Sequence, residues 1–323
     1  MLGRRSFLEA MAAAAALPDS LARAASVKSV AHSATDFFPG FRRLSVQTTG
    51  TEINVLVGGN GPPLLFLHGY PQTHIEWRKV APELAKTRTV VLPDLRGYGD
   101  SGKPIGGPDH AAYAKRAMAA DQIEVMSALG FHQFAMIAHD RGARVGHRLL
   151  LDHPERVTRA ILIDICPTSY MYEHADRAFG SAYFHWFFLI QDAPLPERLI
   201  GNNADAWLRY AFDPAIPAHI EPAAYAEYLR CFAQPAAIHA SCEDYRAAAS
   251  IDLEHDKADH GRKIACPLHI LWGSRGFVGR NYDVLGVWRG FADDVSGNAI
   301  ESGHWIAEEA PGDLLREAQR FLI

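Results

Sequence analysis

Cysteine is scarce: the 323 residues contain only Cys166, Cys231, Cys242 and Cys266, with no Cys-x-x-Cys pair and no matched histidine spacing. That argues against a zinc site or any other bound metal, and the four thiols read as small buried packing residues. An excess of positive charge is also missing. The formal net charge is -5 and the charged residues are scattered, so neither a nucleic-acid groove nor a polybasic membrane patch is expected. Internal repeats are absent, as are low-complexity tracts beyond an alanine run near the start. What remains is a chain with 48% apolar residues, enough to bury a full core. The expected partner is a small diffusible molecule, no cofactor is called for, and a homodimer stays open.

The first 25 residues read differently from the rest. Gly3-Arg4-Arg5-Ser6-Phe7-Leu8, an apolar run over residues 11–17 and Ala22-Arg23-Ala24 give a charged end, a short apolar stretch and a small-x-small cleavage site. This order resembles a twin-arginine export signal and implies a periplasmic protein, with the cytoplasm as the alternative. The apolar run is too short to cross a bilayer, so no stable membrane insertion is expected after processing.

Beyond a polar linker at 26–36, residues 42–48 and 52–57 alternate as antiparallel strands joined at Thr49-Gly50. Short apolar runs at 64–67, 89–92, 134–138, 160–163 and 268–271 then alternate with helical periodicity, and a last strand precedes Gly303-His304. That rhythm builds a mostly parallel sheet covered by helices. It stops between 167 and 263, where aromatic helical segments and Pro-containing turns replace it. The expected division is a signal at 1–25, an α/β core at 26–166 and 264–323, and a helical lid at 167–263.

In Ala138-His139-Asp140-Arg141-Gly142-Ala143 small residues flank the central Asp140, directly after a strand and before a helix. A strained strand-to-helix turn needs such neighbours and lifts its middle side chain above the sheet. A carboxylate there, instead of a serine hydroxyl, can attack a saturated carbon and leave an ester for later hydrolysis. The plainer role for Asp140 is a helix N-cap.

Turnover of such an ester needs a base and an orienting acid. His304, in Glu301-Ser302-Gly303-His304-Trp305, follows the last expected strand and fits the base. The stretch Leu271-Trp272-Gly273-Ser274-Arg275-Gly276-Phe277-Val278 contains no carboxylate, whereas Asp164 ends Ile161-Leu162-Ile163 among apolar neighbours, where it needs a charged or donor partner. His68-Gly69-Tyr70-Pro71 follows the first parallel strand, so the amides of Tyr70 and Arg141 are the expected oxyanion hole. Arg141 and Arg144 share a face at the start of a helix, where the macrodipole is already positive. An anion should answer them, and a substrate carboxylate would place its alpha carbon beside Asp140.

With these motifs in place, residues 37–322 resemble the haloacetate dehalogenase family, notably the fluoroacetate dehalogenases. The likeness is carried by His68-Gly69-Tyr70-Pro71-Gln72-Thr73, His139-Asp140-Arg141-Gly142-Ala143-Arg144, Leu162-Ile163-Asp164, His185-Trp186, Cys242-Glu243-Asp244-Tyr245-Arg246 and Glu301-Ser302-Gly303-His304. The resemblance implies an α/β-hydrolase fold with a mostly parallel eight-stranded sheet and an inserted lid. It implies a triad of Asp140, Asp164 and His304, carboxylate binding by Arg141 and Arg144, and halide binding by His185, Trp186 and Tyr245. Without it, those three lid residues read as core packing. An epoxide hydrolase with the same nucleophile is the nearest rival, normally with two lid tyrosines and no carboxylate clamp. A non-catalytic small-acid receptor is the reading from another class; an intact triad speaks against it.

Overall fold

Nine strands form one sheet in this computed structural model, which describes residues 26–29, 37–212 and 219–322. The expected export signal lies outside the described residues. In chain order the strands are β1 (Val27–Ser29), β2 (Arg42–Gln47), β3 (Glu52–Gly58), β4 (Pro63–Leu67), β5 (Thr89–Pro93), β6 (Phe134–His139), β7 (Val157–Ile163), β8 (Leu268–Gly273) and β9 (Val295–Ile300). Their spatial order is β1-β2-β3-β5-β4-β6-β7-β8-β9. From β5 to β9 all neighbours are parallel, and β1 to β3 add an antiparallel edge.

The count exceeds the expected eight because β1 falls in the stretch read as a polar linker. Its exposed Val27, Lys28 and Ser29 pair with Val46, Ser45 and Leu44, a backbone match without the apolar alternation that would reveal a strand in sequence. The central strands behave as their composition dictates. Leu64, Leu65, Phe66 and Leu67 of β4 are all fully buried, as parallel strands covered on both faces must be, and each contributes roughly 1.5–3 kcal/mol.

Between β7 and β8 the described residues form eight helices, from Thr168–Glu173 to Ile251–Ala258. The four cysteines are unpaired, and three of them are buried. No helix among the described residues is long and apolar enough to cross a membrane.

Register fixes where the site lies. Leu67 pairs with Ala138, and His139 with Ile163, so the chain leaves β4, β6 and β7 side by side at their C-terminal ends. Ile163 pairs with Leu271, and Gly273 with Ile300, which brings the turn after β9 to the same rim. Ligands of open α/β sheets bind outside these carboxyl ends.

Candidate active site

The turn after β6 has the strain that its sequence predicts. Asp140 has φ 45°, a left-handed conformation that costs a non-glycine residue about 1–3 kcal/mol. Gly142 makes the turn feasible, because a Cβ there would sit 2.4 Å from the His68 carbonyl oxygen. The same residue that bears the strain therefore projects its carboxylate into a cavity of about 620 Å³ beneath the lid. Asp140 is the first residue of the helix Asp140–Asp152, whose N-cap is His139 with no side-chain capping hydrogen bond, so the plainer capping role is not the one its carboxylate fills.

The other expected triad members converge on it. His304 Nδ1 lies 2.5 Å from Asp164 Oδ2, and His304 Nε2 lies 3.9 Å from Asp140 Oδ2. Asp164 is buried, also has positive φ, and accepts a second hydrogen bond of 2.9 Å from the Gly273 N–H. The distance from the base to Asp140 exceeds a hydrogen bond, which suits this chemistry, since a carboxylate nucleophile needs no deprotonation. Burial favours the neutral acid at Asp140, but His304, His139, Arg141 and Arg144 outweigh it and hold its carboxyl below the usual range. Asp140 is thus charged at neutral pH.

On the oxyanion side the Tyr70 N–H donates to Asp140 Oδ1 at 3.0 Å. Arg141 follows Asp140 in the first turn of its helix, where backbone amides have no intrahelical acceptor. The Tyr70 ring is fixed from the lid, because the Trp207 indole N–H donates to its hydroxyl at 2.6 Å. Neither Trp207 nor this bond was legible in sequence, since an aromatic in an aromatic-rich lid reads as packing.

The two arginines separate. Arg141 is fully buried and its Nε and Nη2 donate to the Asp244 carboxylate at 3.0 and 2.8 Å, leaving Nη1 unpartnered. Its side chain does not reach the cavity wall. The anion that answers it is the lid carboxylate of Asp244, where a substrate carboxylate was expected. Arg144 does line the cavity. Its Nη1 donates to the Cys166 carbonyl and the Thr168 hydroxyl, its Nε has no partner, and its guanidinium carbon lies 4.6 Å from the centre of the Trp186 ring. Burial and the Arg141 charge lower its pKa, and no carboxylate pairs with it among the described residues.

His185, Trp186 and Tyr245 all line the cavity. Burial pushes His185 down to about 4, so it is neutral at pH 7 and can donate one N–H. Burial, reinforced by the Asp140 charge, keeps the Tyr245 hydroxyl protonated. Tyr183 joins them, unanticipated, and burial together with Asp164 and Asp140 keeps it protonated as well. Among the described residues no His, Cys, Asp or Glu cluster is arranged to hold a metal.

Residues 62–311 match the protein family described as alpha/beta hydrolase fold. The chain is 43% identical to a fluoroacetate dehalogenase from Burkholderia sp. over 288 residues, covering 88% of this chain and 95% of that protein. The chain belongs to the haloacetate dehalogenase family of α/β hydrolases. Family membership makes it a hydrolase, but it shares ground with neighbours of other specificity. It is 33% identical to a soluble epoxide hydrolase from Corynebacterium sp., over 84% of this chain and 94% of the relative. A crystal structure from a Nostoc species, described as an alpha/beta hydrolase, superposes with a TM-score of 0.86 at 54% identity, covering 89% of this family member and 99% of that chain.

Proposed function

We propose that this hydrolase converts haloacetates and related 2-haloacids to 2-hydroxy acids plus halide through an ester on Asp140. The observation that carries the reading is Arg144: a buried guanidinium on the cavity wall, next to the nucleophile, with no carboxylate of its own. A buried cation is costly unless an anion meets it, and a substrate carboxylate is an anion of the right geometry for a guanidinium fork.

In this reading Arg144 holds the carboxylate so that the alpha carbon faces Asp140, while the buried Arg141, committed to Asp244, adds only its positive charge from behind the wall. Asp140 attacks in line with the leaving halide, and the carbon inverts. The N–H and O–H groups of His185, Trp186 and Tyr245 replace hydration lost by the departing anion, which matters most for fluoride. His304, oriented by Asp164, then takes a proton from water, and that water adds to the Asp140 carboxyl carbon. The resulting oxyanion lies at Oδ1, where the Tyr70 N–H already donates.

A single turnover in heavy-oxygen water should place label in Asp140 before it reaches product, with halide released from fluoroacetate or chloroacetate. Label appearing first in product would eliminate the ester. Arg144→Lys keeps the charge but loses the fork; we expect KM to rise about 10–100-fold, from a charge-assisted hydrogen bond worth roughly 1.5–3 kcal/mol. An unchanged KM would remove Arg144 from substrate binding.

One observation favours a second reading. Tyr183 and Tyr245 both face the cavity as protonated hydroxyls, the pair that an epoxide oxygen would require. Diol formation from styrene oxide, measured beside halide release, separates the two. The intact geometry of Asp140, Asp164 and His304 disfavours a non-catalytic receptor, whose mark would be a broken triad.

A further inference from the structure

Beneath the cavity a buried pair joins the three loops that meet at Asp140. His139, the residue before the nucleophile, turns both ring nitrogens toward acceptors: Nε2 lies 3.0 Å from the His304 carbonyl oxygen, and Nδ1 lies 2.9 Å from Glu76 Oε1. Two bare lone pairs repel at that distance, so at least one of the two groups carries a proton. The contact is bent and neither atom has another partner, which makes charge its main attraction. The other Glu76 oxygen accepts from the Gly69 N–H at 2.9 Å, and Gly69 precedes Tyr70, whose amide meets Asp140 Oδ1. Glu76 and His139 are each 1% exposed.

We infer that Glu76 and an imidazolium His139 are positioning residues for ester hydrolysis, binding the His304 loop and the Tyr70 amide to the elbow. The inference rests on the ester reading above. Attack on the alpha carbon requires a charged Asp140 and halide donors from the lid. Breakdown of the ester requires the base and the oxyanion amide, the two groups that this pair ties down.

The groups facing the ring are Glu76, Asp140 and Asp164, with the His304 ring 4.6 Å away between centroids. Burial lowers the His139 pKa, but these carboxylates, Glu76 foremost, raise it to about 9 from an ordinary 6.5. The sign follows from linkage: the stability this proton adds is complete below about 6.5 and is lost as pH rises through 9. Deprotonation leaves one N–H for two acceptors, so one tether is released.

Glu76→Gln supplies the control. It removes the charge from the His139 contact while its side-chain oxygen can still accept from the Gly69 N–H. In wild type, ester hydrolysis should decline above pH 9; Glu76→Gln should slow it at pH 7 and remove that alkaline limb, and an unshifted limb in Glu76→Gln would overturn the inference. Glu76→Ala and His139→Leu should slow ester hydrolysis about 100-fold, as a small misplacement can, yet retain a one-equivalent halide burst. A normal steady state in Glu76→Ala would overturn the inference. Nitrogen-15 spectra of His139 in the resting protein test it without any substrate. Both nitrogens protonated at pH 7, with titration near 9, is the expected result; titration between 6 and 7 overturns the inference. Absence of halide release with that spectrum intact overturns the haloacid reading instead.

Discussion

Asp140→Asn is expected to lower halide release by at least about 10⁴-fold, and His304→Gln to release one equivalent of halide and then stop with Asp140 carrying a carboxymethyl ester. The two outcomes differ because the residues act at different steps. Both triad carboxylates line the cavity, but Asp164 is spent on His304 and the Gly273 amide, which leaves Asp140 as the proposed nucleophile. At 3.9 Å from Asp140, His304 Nε2 is not needed for the attack, but it is the group placed to activate water afterwards. Intact-protein mass spectrometry after quenching checks this, together with halide measured in the burst. Sustained turnover by His304→Gln, or a His304→Gln protein with neither burst nor adduct, would refute the division of labour.

The second large effect lies in the network that commits Arg141. Asp244, on the lid helix Pro235–Ala248, is fully buried and accepts from Arg141, from the Tyr98 hydroxyl at 2.5 Å and from Lys115 at close range. Burial opposes its charge, but Arg141 and Lys115 hold its carboxyl far below the usual range. Asp244→Ala leaves the buried Arg141 guanidinium without its carboxylate, while Lys115 keeps Asp252 at 3.4 Å, and breaking a buried pair from one side costs about 3–5 kcal/mol. The exposed pair of Arg209 with Asp205 is the internal contrast; its loss should leave the denaturation midpoint nearly unchanged. Urea denaturation of both variants is the check. A shift below 1 kcal/mol for Asp244→Ala would mean that the lid docks by apolar packing alone. Tyr245 is the next residue on the same helix, so loosening this anchor should also raise KM by displacing a proposed halide donor.

Much of this site could be read from the chain because its signals are local. An elbow needs small residues at fixed offsets, and Gly142 against the His68 carbonyl is the steric reason. The triad order follows from strand order, and both Asp164 and His304 arrive where β7 and β9 end. The misses share another cause. Arg141 and Asp244 are 103 residues apart, and Tyr70 and Trp207 137 apart, so nothing in the neighbourhood of one announces the other. Strand β1 was missed because a backbone pairing of exposed residues leaves no hydropathy pattern. Tyr183 was passed over because an aromatic among aromatics carries no sign of which face it presents.

Sequence alone determined the alternation of buried strands and helices, the strained turn with its carboxylate, and the residue types able to serve it, since each depends on patterns within a few positions. Tertiary structure decided which arginine stays free for a ligand, which lid side chains face the nucleophile, and that His139 lies between Glu76 and the His304 carbonyl. Those outcomes depend on how distant charges cancel in a buried volume, and cancellation is set only when the lid closes over the sheet.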